Sequence, residues 1–386
     1  MMRLHRTLIH IIRSAAARHK APAWTPSVVN GLVRHTTKHL HHWYHLRLAK
    51  RAISGRIANL DDITGFLCEH LVPIRAPLVL ISQVQRSGGT LLSQLFDAHS
   101  ALAAYPHELR LGYAVADRWQ RPVPELGYDA NFHMLFDLQF QRYVRRGLPA
   151  GEGSTGRHPF LSVPRLQYDL FRSLFETRPP ASERAALDYF FTAFFNSWIN
   201  YQGNLERKHW ITAFAPRLAD DEENAAAFFE SYPDGLLIQV IRDPETWYAS
   251  AQNHRATMLT GRNSKHLLDM WITSARAVLR NKKRYGERVI VLRFEDLVGR
   301  TERTMRRLAD ELGVAFEPAL LEPTFNSRPM RANSSFAVDS PGVISAPLER
   351  AATLRTEERE LIRARCHAIY EQVLADALGL PARAAE

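Results

Sequence analysis

Short apolar runs alternate with amphipathic stretches through most of this chain. Leu78 to Val84 is apolar and partly β-branched, and of strand length. Gly235 to Ile241 is nearly all apolar, as expected for a strand covered on both faces of a parallel sheet. His209 to Phe214 and Arg288 to Phe294 read as two further strands. Between them the spacing turns helical. From Thr90 onward apolar residues fall at 91, 92, 95 and 96. Helices are expected over Asp61 to Val72, Asp220 to Tyr232, Lys265 to Tyr285, Thr301 to Leu312 (stopped by Gly313) and Thr356 to Leu378. Residues 118–210 read as mainly helical, with the aromatic stripe Tyr189 to Phe195 as core. Strands alternating with helices predict an α/β fold built on a doubly wound, mostly parallel sheet. Ligands of such sheets sit at the carboxyl ends of the strands.

Composition modifies this picture at the amino-terminal end. Residues 1–60 contain no Asp or Glu, and the first acid is Asp61. Basic residues run from Arg3 to Arg56, with a His-rich patch at His35 to His45. Residues 1–75 read as a basic helical extension, and 76–386 as the main domain. A helix lying on an anionic membrane and an organelle presequence are competing readings of the same composition. The net charge of +10 over 386 residues favours anionic partners. No run of about 18 apolar residues exists, so no membrane span is expected. Cys68 and Cys366 stand alone, which fits a reducing, cytoplasmic setting. Neither zinc-type nor calcium-type ligand spacing is present, and no metal is expected.

The chemistry concentrates after the first strand. Gln85-Arg86-Ser87-Gly88-Gly89 leads into a helix at Thr90-Leu91. A strand feeding a glycine-bearing loop into a helix N-terminus builds an anion site, because the free N–H groups of the first turn face the ligand. Ser87 and Thr90 add hydroxyls, and Arg86 adds a planar charged fork suited to phosphate or sulfate. This is not a Walker A loop, since no lysine stands between Gly89 and Thr90. Another arginine, Arg242, follows another strand in Arg242-Asp243-Pro244, with Ser250 eight residues on. Arg86 and Arg242 both lie just past a strand's carboxyl end, so they can converge on one anion-rich ligand.

Strand-QRSGGTLL-helix, strand-IRDP with Ser250, and the later VLRFEDLV together resemble the sulfotransferases that use 3′-phosphoadenosine-5′-phosphosulfate (PAPS). The arginine-bearing loop is closer to the tyrosylprotein and bacterial carbohydrate branches than to the cytosolic small-molecule branch. The resemblance implies a P-loop-like phosphosulfate loop formed by Arg86, Ser87, Gly88, Gly89, Thr90 and Leu91. It implies that Arg242 and Ser250 hold the 3′-phosphate, and that Glu295 and Asp296 support the fold. It implies transfer of a sulfuryl group from PAPS to a hydroxyl acceptor, without a metal. A carbohydrate or lipid-linked glycan is the expected acceptor and a protein tyrosine the second choice; nucleic acid is not an expected partner. Arg86 would stabilise the departing oxygen. Glu108 is the candidate base, with His107 competing and His99 read as structural.

Two departures from the pattern stand out. The arginine-loop relatives carry a lysine after the second strand, where this chain reads Phe214-Ala215-Pro216-Arg217. Arg217, Lys208 or Arg86 alone would have to serve. The late glycine-rich lysine motif is also missing, which leaves Arg331 and Ser334 as candidate late phosphate contacts. The main alternative reading is a small-molecule kinase with a degenerate phosphate loop. A non-enzymatic binding module that docks its basic amino-terminal segment on membrane, as a peripheral contact, or on nucleic acid is the third.

Overall fold

The structure, a computed structural model, describes residues 60–378 except 114–117, 139–142, 145–146, 151–155, 254–263, 332–341 and 346–347. Residues 1–59 of the expected extension, and Ser334, therefore lie outside the described residues. In chain order, α1 (Leu60–Glu69) precedes β1 (Leu78–Ile81), α2 (Gly89–Phe96) and β2 (Leu102–Glu108). A helical stretch follows with α3 (Gly127–Leu135), α4 (Pro164–Thr177) and α5 (Glu183–Asn196), interrupted by a small hairpin of β3 (Leu148–Pro149) and β4 (Arg157–His158). Then come β5 (Trp210–Phe214), α6 (Glu222–Ser231), β6 (Leu236–Ile241), α7 (Pro244–Gln252) and α8 (Ser264–Tyr285). The chain continues through β7 (Val289–Arg293), α9 (Phe294–Gly299), α10 (Thr301–Glu311), a second hairpin of β8 (Thr324–Phe325) and β9 (Arg328–Pro329), and α11 (Thr356–Ala375).

Five strands form one parallel sheet in the order β2-β5-β1-β6-β7. Alternation with a period of two sends neighbouring side chains to opposite faces. On one face Leu78, Leu80, Ile211, Ala213, Leu237, Val289 and Val291 join the larger core, where α4, α5 and α8 pack. On the other, Val79, Ile81, Ile238, Val240, Ile290 and Leu292 meet Leu92, Leu95 and Phe96 of α2 and Met305 and Leu308 of α10. Both faces are covered, which explains why β1, β6 and β7 read as nearly continuous apolar runs. The stripe in α5 is core: Phe190, Phe191, Phe194 and Phe195 are buried.

From β1 the chain moves out to β2 and returns through β5; from β6 it moves the other way to β7. The strand order therefore reverses around β1. The crevice at the carboxyl ends beside β1 is where such a sheet takes its ligand. The loops after β1 and β6 both open there.

β2 was not anticipated. No strand is expected over Leu102 to Glu108 from the sequence pattern, yet Glu108 ends an edge strand that pairs with β5. Pro106 breaks the apolar alternation in the sequence, and an edge strand tolerates it because one side carries no ladder. Within the described residues no helix is long and apolar enough to cross a membrane.

Candidate active site

Backbone geometry shapes the loop after β1. Gly88 has φ of 94° and Arg86 has φ of 72°, both in the left-handed region. That region costs an arginine roughly 1–2 kcal/mol, so the surroundings must hold the turn in place. They do so through its carbonyls. Arg217 N donates to Gln83 O, Trp247 Nε1 to Gln85 O and Arg242 Nη1 to Arg86 O, at 2.9, 2.8 and 2.9 Å. A Cβ on Gly89 would lie 1.9 Å from Gln83 Nε2 and 2.4 Å from Phe214 Cε2, so only glycine fits. No side chain caps α2 at Gly88. Ser87 is fully buried and its hydroxyl has no partner among the described residues. A buried unpaired hydroxyl beneath an uncapped helix N-terminus fits an oxyanion ligand.

Arg242 enters from the carboxyl end of β6 and is 2% exposed. Its Nε donates to Thr246 Oγ1 at 3.2 Å, and its guanidinium lies 4.4 Å from the Phe294 ring centroid. It is therefore not a surface partner of Asp243 or Glu245. Asp243 caps α7 through Thr246 N, and Glu245 pairs with Arg363. Burial pushes Arg242 down to about 9, with Glu295 opposing and the charges of Arg350 and Arg86 adding. Glu295 accepts a 3.0 Å bond from Asp243 N, and burial raises its pKa.

Arg350 is the residue that sequence reasoning missed. Its Nη1 lies 3.5 Å from Ser250 Oγ, and both residues are buried. Burial, and after it the charge of Arg86, brings Arg350 down to about 10. Arg86, Arg242 and Arg350 thus share one field, with Glu295 the acid that acts on Arg242 most strongly. A cluster of three arginines, two of them buried, suits an anion.

Beside the loop lies a cavity of about 260 Å³. Thr90, Ser93 and Gln94 of α2 form one wall, His107 and Glu108 another, and Tyr143, Leu148, Pro149, Phe214, Met330 and Arg331 complete it. Thr90 belongs to both the loop and the cavity. The Glu108 amide donates to His107 Nδ1, and His107 Nε2 meets the Tyr143 hydroxyl. An Nδ1 that accepts leaves the proton on Nε2 of a neutral ring, so His107 has no lone pair facing the cavity. Glu108 Oε2 accepts from Arg110 Nε and Nη2 at 3.1 and 2.8 Å.

The remaining candidates fall elsewhere. His99 is structural: Nε2 lies 2.8 Å from Ala315 O, and Nδ1 accepts from Ala101 N. Lys208 precedes β5 and donates to Ser100 O at 2.8 Å, so it sits at the end of the sheet opposite the loop. Arg217 is turned to Asp220 at 3.2 Å. Neither replaces the absent lysine. Arg331 lines the cavity with Glu108, whereas the late arginine beside Ser250 is Arg350. Leu91 is half-buried in the first turn of α2. The described residues hold no group of three or more metal-ligating side chains.

The family model described as "Sulfotransferase family" matches residues 77–318. No curated protein matches the chain. Among solved structures, it is similar to a sulfotransferase domain from the curacin biosynthetic pathway, at 18% identity and TM-score 0.44, over 77% of this chain and 99% of that one. The sulfotransferase domain of an olefin synthase from Synechococcus PCC 7002 is also 18% identical, at TM-score 0.43, over 79% and 96%. A sulfotransferase from Mycobacterium avium is 14% identical, at TM-score 0.40, over 93% and 88%.

Proposed function

This chain belongs to the sulfotransferase family, and on that premise we propose that it transfers the sulfuryl group of PAPS to a hydroxyl acceptor. The observation that carries the reading is the convergence of Arg86, Arg242 and Arg350 on the crevice at the switch point of the sheet. A nucleotide charged at two separated ends needs two cationic clamps. The uncapped first turn of α2, with Ser87 and Thr90, suits the 5′-phosphosulfate. Arg242, Ser250 and Arg350 suit the 3′-phosphate.

Sulfuryl transfer is an in-line displacement, like phosphoryl transfer. The acceptor oxygen forms a bond to sulfur as the bond from sulfur to the bridging phosphate oxygen breaks. The electron pair of that bond leaves on the nucleotide, and the acceptor proton passes to a base. Glu108 is that base, since it faces the cavity while both ring nitrogens of His107 are engaged. Arg86 neutralises the charge that develops on the leaving oxygen.

Pro106, Leu148, Pro149, Phe214 and Met330 give the cavity a broad apolar wall. Thr90, Ser93, Gln94, Glu108 and Arg331 add polar groups around it. An acceptor that carries an apolar body beside its hydroxyl, phenolic or lipid-linked, suits that wall. The absent P-loop lysine argues against the kinase alternative.

Calorimetry with 3′-phosphoadenosine-5′-phosphate (PAP), ATP and GMP tests the donor assignment. Micromolar PAP binding without magnesium, lost in Arg242→Ala, is expected. Preference for ATP with magnesium refutes it.

A further inference from the structure

The carboxylate of Glu108 does not stand alone. We infer that Arg110 is a positioning residue, which fixes one oxygen of Glu108 so that the other faces the acceptor. The inference rests on the reading of Glu108 as the base.

Arg110 follows Glu108 by two residues, just past the carboxyl end of β2. Both of its bonds to Glu108 go to Oε2. Oε1 has no partner among the described residues. The pair is half-buried, with side-chain exposures of 27% for Arg110 and 23% for Glu108. A fork that grips one oxygen through two nitrogens sets the plane of the carboxylate as well as its place.

Arg110 is itself anchored from below. Its backbone N donates to Asp137 Oδ2 at 3.2 Å, and Asp137 is buried. Its guanidinium lies 5.2 Å from the Tyr113 ring centroid. Burial and the neighbouring Asp137 carboxylate hold the Tyr105 hydroxyl well above its ordinary pKa, so that phenol stays a neutral partner of Asp137. Glu108 opens onto the reactant cavity, whereas Arg110 lines a separate small cleft with Trp119 and Pro216. The guanidinium therefore acts on the reaction through Glu108 and not by touching the acceptor.

A base displaced by about an ångström loses on the order of 100-fold in rate. The test is a cycle of Glu108→Gln, Arg110→Gln and the double variant, with Arg110→Lys as the conservative replacement. Turnover is read as PAP release from PAPS, with water, 4-nitrophenol and 2-naphthol as acceptors, and PAP affinity is measured alongside. Arg110→Gln is expected to lower kcat by about 10- to 100-fold with the PAP Kd unchanged, Arg110→Lys to recover part of the loss, and the double variant to be no slower than Glu108→Gln. Wild-type turnover in Arg110→Gln overturns the inference. So does an equal further loss in the double variant, which marks a merely structural arginine. A Glu108→Gln enzyme that turns over normally, or a wild type that transfers to none of the three acceptors, overturns the underlying reading instead.

Discussion

Replacing Arg350 with Gln removes one guanidinium from the arginine cluster and leaves the sheet, the loop and Ser250 in place. A hydrogen bond between a charged donor and a phosphate is worth about 1.5–3 kcal/mol. At about 1.4 kcal/mol per decade, the PAP Kd of the variant should rise roughly 10- to 150-fold. The unliganded protein should not weaken in proportion. Burial and the charge of Arg86 already bring Arg350 down to about 10, so in the empty site its charge is a cost. Titration calorimetry with PAP gives the affinity, and a thermal scan of the same samples gives the unliganded Tm. Arg306→Gln, from an exposed pair with Glu302, serves as the control. An Arg350→Gln protein that binds PAP within about twofold of wild type refutes the assignment, since a phosphate contact cannot be worth so little. A fall in unliganded Tm of several degrees refutes the electrostatic argument behind it.

Further predictions follow from particular contacts. Gly89→Ala should destabilise by about 1–3 kcal/mol through overpacking and should also abolish PAP binding, since its methyl meets Gln83 and Phe214; thermal melts and calorimetry check both. Glu108→Ala should abolish turnover and leave PAP affinity intact; unchanged turnover would refute Glu108 as the base. The bond from Arg355, helped by Gln252, holds Glu358 at about 2 against an ordinary 4.5. A carboxyl depressed in the folded state stabilises fully above about 4.5 and loses that support as pH falls toward 2, so Glu358→Gln should flatten the acid limb of the stability curve measured by urea melts.

The loop and the strands were legible because each carries a local pattern. An apolar run of strand length and a glycine pair before an amphipathic helix need no tertiary information. Alternating strands and helices also pointed to a mostly parallel sheet, though not to its strand order. β2 was hidden because Pro106 and its small alanines break the apolar alternation, and only pairing with β5 makes the segment a strand. Arg350 was hidden for another reason. Nothing near it in the sequence distinguishes it from other arginines, and its meaning comes from folding back onto Ser250, one hundred residues earlier. The partnership of Arg110 with Glu108 is invisible until β2 is known, since the spacing of two matters only at the end of a strand. Lys208 and Arg217 were reasonable substitutes for the absent lysine by position, yet one lies at the wrong end of β5 and the other is turned to Asp220.

The central claim is that this arginine cradle presents a sulfated nucleotide to an acceptor hydroxyl. Its most direct test is transfer of radiolabelled sulfate from PAPS to 2-naphthol, comparing the wild type with Arg86→Ala. The account predicts labelled naphthyl sulfate with the wild type, none with the variant, and one equivalent of PAP released for each sulfate transferred. Labelled product at an equal rate from both proteins would contradict it.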